Sequence, residues 1–325
     1  MPVPPLYPLR FEPLLRHYIW GGDQLAALLN KPVPAGQTCA ESWEICDRGD
    51  DQSRVACGPL AGVTLGELVR ERPTELFGKH PAPARFPLLL KYLDARHTLS
   101  VQVHPDDRQA ALLQPPDLGK TEAWIILAAE PDAVIYAGLL PGVDAEQLTS
   151  AIDAGKCEEC LHRIQPRPGD CVFLPAGTVH ALGGGLLVAE IQQSSDTTYR
   201  LFDWNRLGPD GQPRPLHIRE ALPVIDYQRG PVEPQTPRAT EQRDVMRLVE
   251  CDRFILDRWS LDQPAKIGGD GRFHVLAILS GSVYVEGDAS TGPLNTGDSI
   301  LLPANLSSTT VCPAPRAVFM EAYLP

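Results

Sequence analysis

Short apolar runs separated by turn residues dominate the chain. Leu88-Leu89-Leu90-Lys91-Tyr92-Leu93, Trp124–Leu127, Ala133–Ala137, Cys171–Leu174 and Leu186–Gln193 each have the length of a strand, roughly four to eight residues, and are too short for a buried helix. Thirty-three prolines and 27 glycines are spread between them. Proline removes a backbone donor and breaks helices, so the pattern predicts many short strands joined by turns. Helices are expected only behind a cap. Asp23 to Asn30 suits a short one, and Thr64 with Glu67 opens another that runs to about Arg72. Asp106 with Gln109 caps a third through Leu113. Asp144 with Gln147 caps a fourth, with Leu148 and Ile152 on its apolar face and Gly155 to stop it. Tyr7 to Trp20 reads as a strand ending at Gly21-Gly22. Ala40–Cys46 reads as another; its Glu41 and Glu44 could line a site but are expected to form a solvated face.

Polar residues at alternate positions of these strands carry the chemistry. Side chains on a strand alternate between faces, so Ser100, Gln102 and His104 point one way while Val101 and Val103 point into a core. Lys120 and Glu122 repeat this two-residue spacing, and His180 follows the turn Pro175-Ala176-Gly177. Gln102, His104, Glu122 and His180 therefore form a candidate set of two nitrogen and two oxygen ligands with positions left open. Such a set without thiolates suits zinc, with manganese, iron or cobalt as substitutes, and an open position marks a catalytic site. Lys91 lies inside an apolar run and must snorkel to the surface or meet an anion. Arg200, in Tyr199-Arg200-Leu201-Phe202, needs a carboxylate or a phosphate if buried. Glu190 and Gln192 share one face of their strand.

An internal echo divides the chain. Gly169-Asp170-Cys171-Val172-Phe173-Leu174-Pro175-Ala176 recurs as Gly297-Asp298-Ser299-Ile300-Leu301-Leu302-Pro303-Ala304, and Trp124–Leu127 has a counterpart in Leu276–Leu279. Two copies of one β-fold follow. In the second copy His274 stands at the position of Glu122 and Ser308 at that of His180, so only the first is equipped for chemistry. The expected organisation is a metal-binding domain over residues 1–229 with a helical insert near 141–165, a proline-rich linker over 230–241, and a second domain over 242–325 without metal ligands.

Composition narrows the partners. With 29 basic and 41 acidic residues the net charge is −12, which disfavours nucleic acid or an anionic membrane and leaves room for a small phosphorylated metabolite. The beginning of the sequence has no basic region followed by an apolar run, and no stretch approaches the ~18 apolar residues of a membrane span, so a cytoplasmic protein is expected. Eight dispersed cysteines do not suggest a disulfide framework, and Cys157-Glu158-Glu159-Cys160 has no second pair at zinc-site spacing.

Four motifs together carry a family resemblance: Leu99-Ser100-Val101-Gln102-Val103-His104-Pro105-Asp106, Gly119-Lys120-Thr121-Glu122-Ala123-Trp124, Pro175-Ala176-Gly177-Thr178-Val179-His180-Ala181 and Tyr199-Arg200-Leu201-Phe202-Asp203-Trp204. From Leu9 to near Asp226 the sequence resembles the type I mannose-6-phosphate isomerases of the cupin superfamily, in their short bacterial form. The resemblance implies a mainly β protein of two cupin-like (jelly-roll) β-barrel domains with a few short helices. It implies one Zn2+ per chain on Gln102, His104, Glu122 and His180, with Lys120 and Arg200 as basic catalytic residues and Lys91, Ser100 and Glu190 at further pocket positions. The implied reaction interconverts mannose 6-phosphate and fructose 6-phosphate through a cis-enediol, with Glu190 as the candidate base and the chain a monomer or homodimer. The large helical domain of the long enzymes is reduced here to the insert around Asp144 to His162. The competing expectations are a non-catalytic sugar-phosphate sensor on the same fold and a cupin oxygenase or other sugar isomerase.

Overall fold

The computed structural model describes residues 4–208 and 211–325. Thirteen strands form the first part: β1 Leu14–Arg16, β2 Glu41–Ile45, β3 Asp47–Arg48, β4 Asp51–Gln52, β5 Leu88–Ala95, β6 Val101–Val103, β7 Glu122–Ala129, β8 Ile135–Leu139, β9 Leu161–Ile164, β10 Cys171–Leu174, β11 His180–Leu182, β12 Leu186–Gln193 and β13 Tyr199–Phe202. Eight more follow: β14 Arg238–Ala239, β15 Val245–Glu250, β16 Ile255–Leu261, β17 Ala265–Ile267, β18 His274–Val285, β19 Leu294–Asn295, β20 Ser299–Leu302 and β21 Thr309–Tyr323. The helices are short: α1 Gln24–Leu29, α2 Leu65–Glu71, α3 Pro73–Phe77, α4 Asp107–Ala110, α5 Ala145–Asp153 and α6 Ile218–Ala221. The chain is mainly β, as its punctuated apolar pattern predicts. The capping boxes at Thr64/Glu67, Asp106/Gln109 and Asp144/Gln147 are all formed.

A six-stranded sheet in the order β1-β2-β5-β12-β7-β10 faces a five-stranded sheet in the order β13-β6-β11-β8-β9. They are open sheets packed as a sandwich, not one closed ladder. Leu93, Trp124, Val172 and Val188 of the first sheet share a core with Ile135, Ala137, Ile164 and Leu182 of the second. The opposite face of the first sheet is also covered. Leu187, Ala189 and Ile191 pack with Leu68 and Phe77 from α2 and α3, and with Val275, Met320 and Ala322 from the third sheet. Burial on both faces explains why β5 and β12 read as unbroken buried runs and not as an alternation. Between β11 and β12, Gly183 lies so close to Val134 that a Cβ would collide with its carbonyl oxygen, and Gly185 adopts φ +80°.

The third sheet runs β14-β15-β16-β21-β18-β19, with β17 on β21 and β20 on β18. Its registers repeat those of the first. Leu174 is opposite Glu122 as Leu302 is opposite His274. The row Trp43, Lys91, Glu190, Trp124 has its counterpart in Arg247, Asp257, Glu321, Leu276. Next to that second row His274 is held between Asp270 at 3.1 Å and Glu321 at 2.7 Å. Burial works against its proton, but these two carboxylates outweigh it and raise its pKa to about 9.

Two sequence expectations need correction. The opening strand shrinks to Leu14–Arg16, because Pro8 and Pro13 interrupt the ladder and leave isolated bridges from Leu9 to Leu301 and Phe11 to Val55. The acids of β2 do not form a solvated face. Glu44 is buried against Lys31 at 2.7 Å, with Ser42 Oγ donating to it at 2.6 Å. Lys31 also donates to the Gly297 carbonyl at 2.6 Å, so this ion pair ties the first part of the chain to the turn before β20.

Removing one partner of a buried pair strands the other charge. Lys31→Met should lose about 3–5 kcal/mol of stability by chemical denaturation, and a loss below about 1 kcal/mol, the scale of an exposed pair, would contradict that role.

Candidate metal centre and adjoining cavity

Two rows of side chains meet between the facing sheets. On the five-stranded sheet Arg200, Gln102 and His180 lie side by side across β13, β6 and β11. On the six-stranded sheet Lys91 and Glu190 are paired across β5 and β12, and Glu122 is opposite Gln192 one row on. His104 follows β6 directly. The two-residue strand period, applied from both sheets, thus brings residues far apart in sequence to one place.

His104, Glu122 and His180 are 1%, 0% and 1% exposed, and each offers an atom within 4.8 Å of the others. His180 Nε2 is 3.2 Å from one Glu122 oxygen and His104 Nε2 is 3.7 Å from the other. Both rings are oriented from behind. His104 Nδ1 donates to the Thr197 carbonyl at 3.0 Å and His180 Nδ1 to the Thr178 carbonyl at 2.9 Å, which leaves each Nε2 lone pair facing Glu122. His104 Nε2 and both Glu122 oxygens are buried without a hydrogen-bond partner. Unsatisfied buried acceptors of this kind are costly, and two neutral imidazoles with a carboxylate are the donor set a divalent cation would satisfy. The cluster could therefore hold a metal ion. Gln102 currently donates its amide to His180 Nε2 at 3.3 Å; turning the amide over would present its oxygen to an ion in the same place.

Electrostatics keep His104 and Glu122 in ligand form. Burial and then the Lys120 ammonium hold the His104 imidazole well below its usual range. Burial alone would raise the Glu122 carboxyl, but the Lys120 ammonium, with Nζ at 3.3 Å, works against it, and the carboxyl is held well below the carboxylate range.

A cavity of about 350 Å3 adjoins the cluster, and Gln102, Lys120 and Trp124 line it. Ser100, Lys91, Glu190 and Arg200 line it as well, so it brings the sequence-selected pocket residues together. Lys91 does not snorkel: it is buried with Glu41 at 3.5 Å and Glu190 at 3.8 Å, and these carboxylates outweigh its burial to raise its pKa. Glu190 accepts from Trp124 Nε1 at 3.0 Å; burial and then the Glu122 charge push its pKa up to about 7. Arg200 donates to the Pro215 carbonyl at 2.8 Å, and its Nε has no partner. No carboxylate lies within ion-pair distance of it among the described residues, and burial together with Arg214 lowers its pKa.

Asp196, Arg214 and Tyr18 also line the cavity and escaped the sequence reading, and Glu41 lines it too. Glu41 was legible only as one of two strand acids. Asp196 and Arg214 lie outside strands, on stretches with no periodicity to aim them.

A sandwich of short antiparallel strands with an inward-facing His, Glu and His defines a cupin with a site able to hold a metal ion. Residues 9–123 match the family described as phosphomannose isomerase type I, catalytic domain, and residues 244–317 match the mannose-6-phosphate isomerase cupin domain. The chain is 38% identical over 301 residues to mannose-6-phosphate isomerase ManA of Bacillus subtilis (strain 168), across 92% of this chain and 94% of that one. It is 34% identical over 303 residues to the mannose-6-phosphate isomerase of Streptococcus mutans serotype c, across 93% and 94%. The crystal structure of the mannose 6-phosphate isomerase from Bacillus subtilis matches with a TM-score of 0.88 at 32% identity, covering 98% of this chain and 99% of that one. The chain belongs to the type I phosphomannose isomerase family, and it is an isomerase. Among the described residues no helix is long and apolar enough to cross a membrane.

Metal-stripped protein titrated with Co2+ should saturate at about one equivalent per chain, and His180→Ala should lose stoichiometric binding. Unchanged binding in that variant would place the metal elsewhere.

Proposed function

We propose that this chain interconverts mannose 6-phosphate and fructose 6-phosphate through a cis-enediol, with Zn2+ held by Gln102, His104, Glu122 and His180. One observation carries the proposal: buried, unsatisfied His104 and Glu122 atoms converge with His180 beside a cavity in which Arg200 makes no ion pair among the described residues. The relatives' names supply the substrate, and the cavity supplies groups that suit it.

Aldose–ketose isomerisation moves a proton between C2 and C1, so one base must serve both carbons while charge develops on the two oxygens. Glu190 is that base: its pKa of about 7 lets it take a proton and give it back near neutrality. When bound, the ion supplies Lewis acidity toward the carbonyl and hydroxyl oxygens of C1 and C2. Lys120 adds a fixed positive charge on the same strand face as Glu122 and stabilises the oxygens as they become anionic. Arg200 takes the phosphate or assists ring opening, its guanidinium making no ion pair among the described residues and its Nε having no partner. Ser100 and Lys91 bind the sugar from the cavity wall, and Lys91 also sets the charge state of Glu190.

A coupled assay from mannose 6-phosphate to fructose 6-phosphate tests the whole reading. Activity should vanish when a chelator strips the protein and return with Zn2+. Tight mannose 6-phosphate binding by zinc-loaded protein without turnover would instead favour the sugar-phosphate sensor.

The base predicts a pH dependence. Glu190 acts as its carboxylate, the form that grows as pH rises through its raised pKa, and a bound dication lowers that value. The rate should therefore fall on the acid side with a midpoint at or below about pH 7, and Glu190→Gln should cost about 10²–10⁴-fold in kcat. A variant that kept the wild-type rate and the same acid limb would remove Glu190 from the mechanism.

A further inference from the structure

Asp117 lies in the loop between α4 and β7, outside the cavity, with a side chain only 10% exposed. Its two oxygens collect donors from three other parts of the chain. Arg48 reaches them at 3.2 and 3.3 Å and Arg85 at 2.6 Å. Ser195 Oγ donates at 3.1 Å and Thr197 Oγ1 at 2.8 Å. Arg48 also donates to the Ser194 carbonyl at 2.7 Å, and Thr197 N donates to Ser195 Oγ at 3.3 Å. One carboxylate and one guanidinium thus fasten residues 194–197 at three of their four positions.

This stretch lies beyond β12, outside any strand or helix, with the Ser194 amide donating to the Pro87 carbonyl at 2.9 Å and Gln192 Nε2 to the Ser195 carbonyl at 2.6 Å. Yet it does two things at the site. The Thr197 carbonyl accepts from His104 Nδ1 at 3.0 Å, and Asp196 lines the cavity. A carbonyl only accepts, so this bond fixes the proton on Nδ1 and leaves Nε2 as the free lone pair beside Glu122.

We propose that Asp117 is a positioning residue for the metal centre: through Thr197 and Ser195 it holds residues 194–197 where the Thr197 carbonyl orients His104. This rests on the metal reading above. The arrangement needs a carboxylate and not merely an acceptor, because Arg48 and Arg85 have no other ion-pair partner among the described residues. Losing the Asp117 charge would turn both cations away from the point at which they gather the stretch.

The test is the Zn2+ affinity of the full chain, read by competition with a chromophoric chelator, for wild type, Asp117→Asn, Thr197→Val and Thr197→Ser. Loss of an interaction that orients a ligand weakens metal binding by about 10–100-fold. That loss is expected for Asp117→Asn and for Thr197→Val. Thr197→Ser, which keeps the hydroxyl, should restore affinity, and the Asp117→Asn/Thr197→Val double variant should be little worse than the weaker single. The Co2+ absorption spectrum should change in the two weakened variants and not in Thr197→Ser. A purely structural role would lower the melting temperature with affinity and spectrum unchanged, and that result overturns the proposal. Should Asp117→Asn fail to fold, the Thr197→Val and Thr197→Ser pair decides by the same criterion. Wild-type protein that bound neither Zn2+ nor Co2+ would overturn the metal reading and this proposal with it, whereas normal wild-type binding with unaltered variants overturns this proposal alone.

Discussion

The structure depends on a carboxylate that water cannot reach. Glu122 has no exposed surface, and neither oxygen accepts a hydrogen bond. A charge in that position is unfavourable unless positive charge or strong donors surround it. Lys120 supplies one cation at 3.3 Å, while the two imidazoles, both turned by backbone carbonyls, offer lone pairs. Glu122 and the two imidazoles could share a cation, which would use all three groups at once. The rest of the first sandwich is consistent with this requirement: two sheets in fixed register, both faces of the inner one covered, and a cavity with polar lining beside the cluster.

The same frame without the cation shows what the requirement costs to remove. In the third sheet the register-matched positions hold His274 for Glu122, Glu321 for Glu190 and Asp257 for Lys91. There the signs are exchanged at two of three places, and the groups form ion pairs with one another. His274 lies between two carboxylates, Trp259 donates to Glu321 at 2.7 Å, and Arg247 and Tyr323 donate to Asp257. One fold thus carries two solutions to buried charge, a closed ion network in one copy and an unsatisfied cluster in the other.

Much of this was legible in the sequence wherever a strand aims its side chains. Gln102 and His104, Lys120 and Glu122, and Glu190 with Gln192 were paired by the two-residue period alone, and the capping boxes announced α2, α4 and α5. The internal echo placed His274 at the position of Glu122, and the registers agree. Legibility failed where tertiary context decides. Glu44 looks like a surface acid until Lys31 arrives from another segment, and Glu41 until Lys91 does. Asp196, Arg214 and Asp117 sit on irregular stretches whose partners come from several segments, so no local pattern marks them.

Zinc K-edge X-ray absorption on protein reconstituted with one equivalent of Zn2+ tests the central claim most directly. Ligation by His104, His180, Glu122 and Gln102 predicts a first shell of nitrogen and oxygen at roughly 2.0–2.2 Å with the outer-shell pattern of two imidazoles. A sulfur shell at about 2.3 Å would put the ion on cysteine and contradict the account.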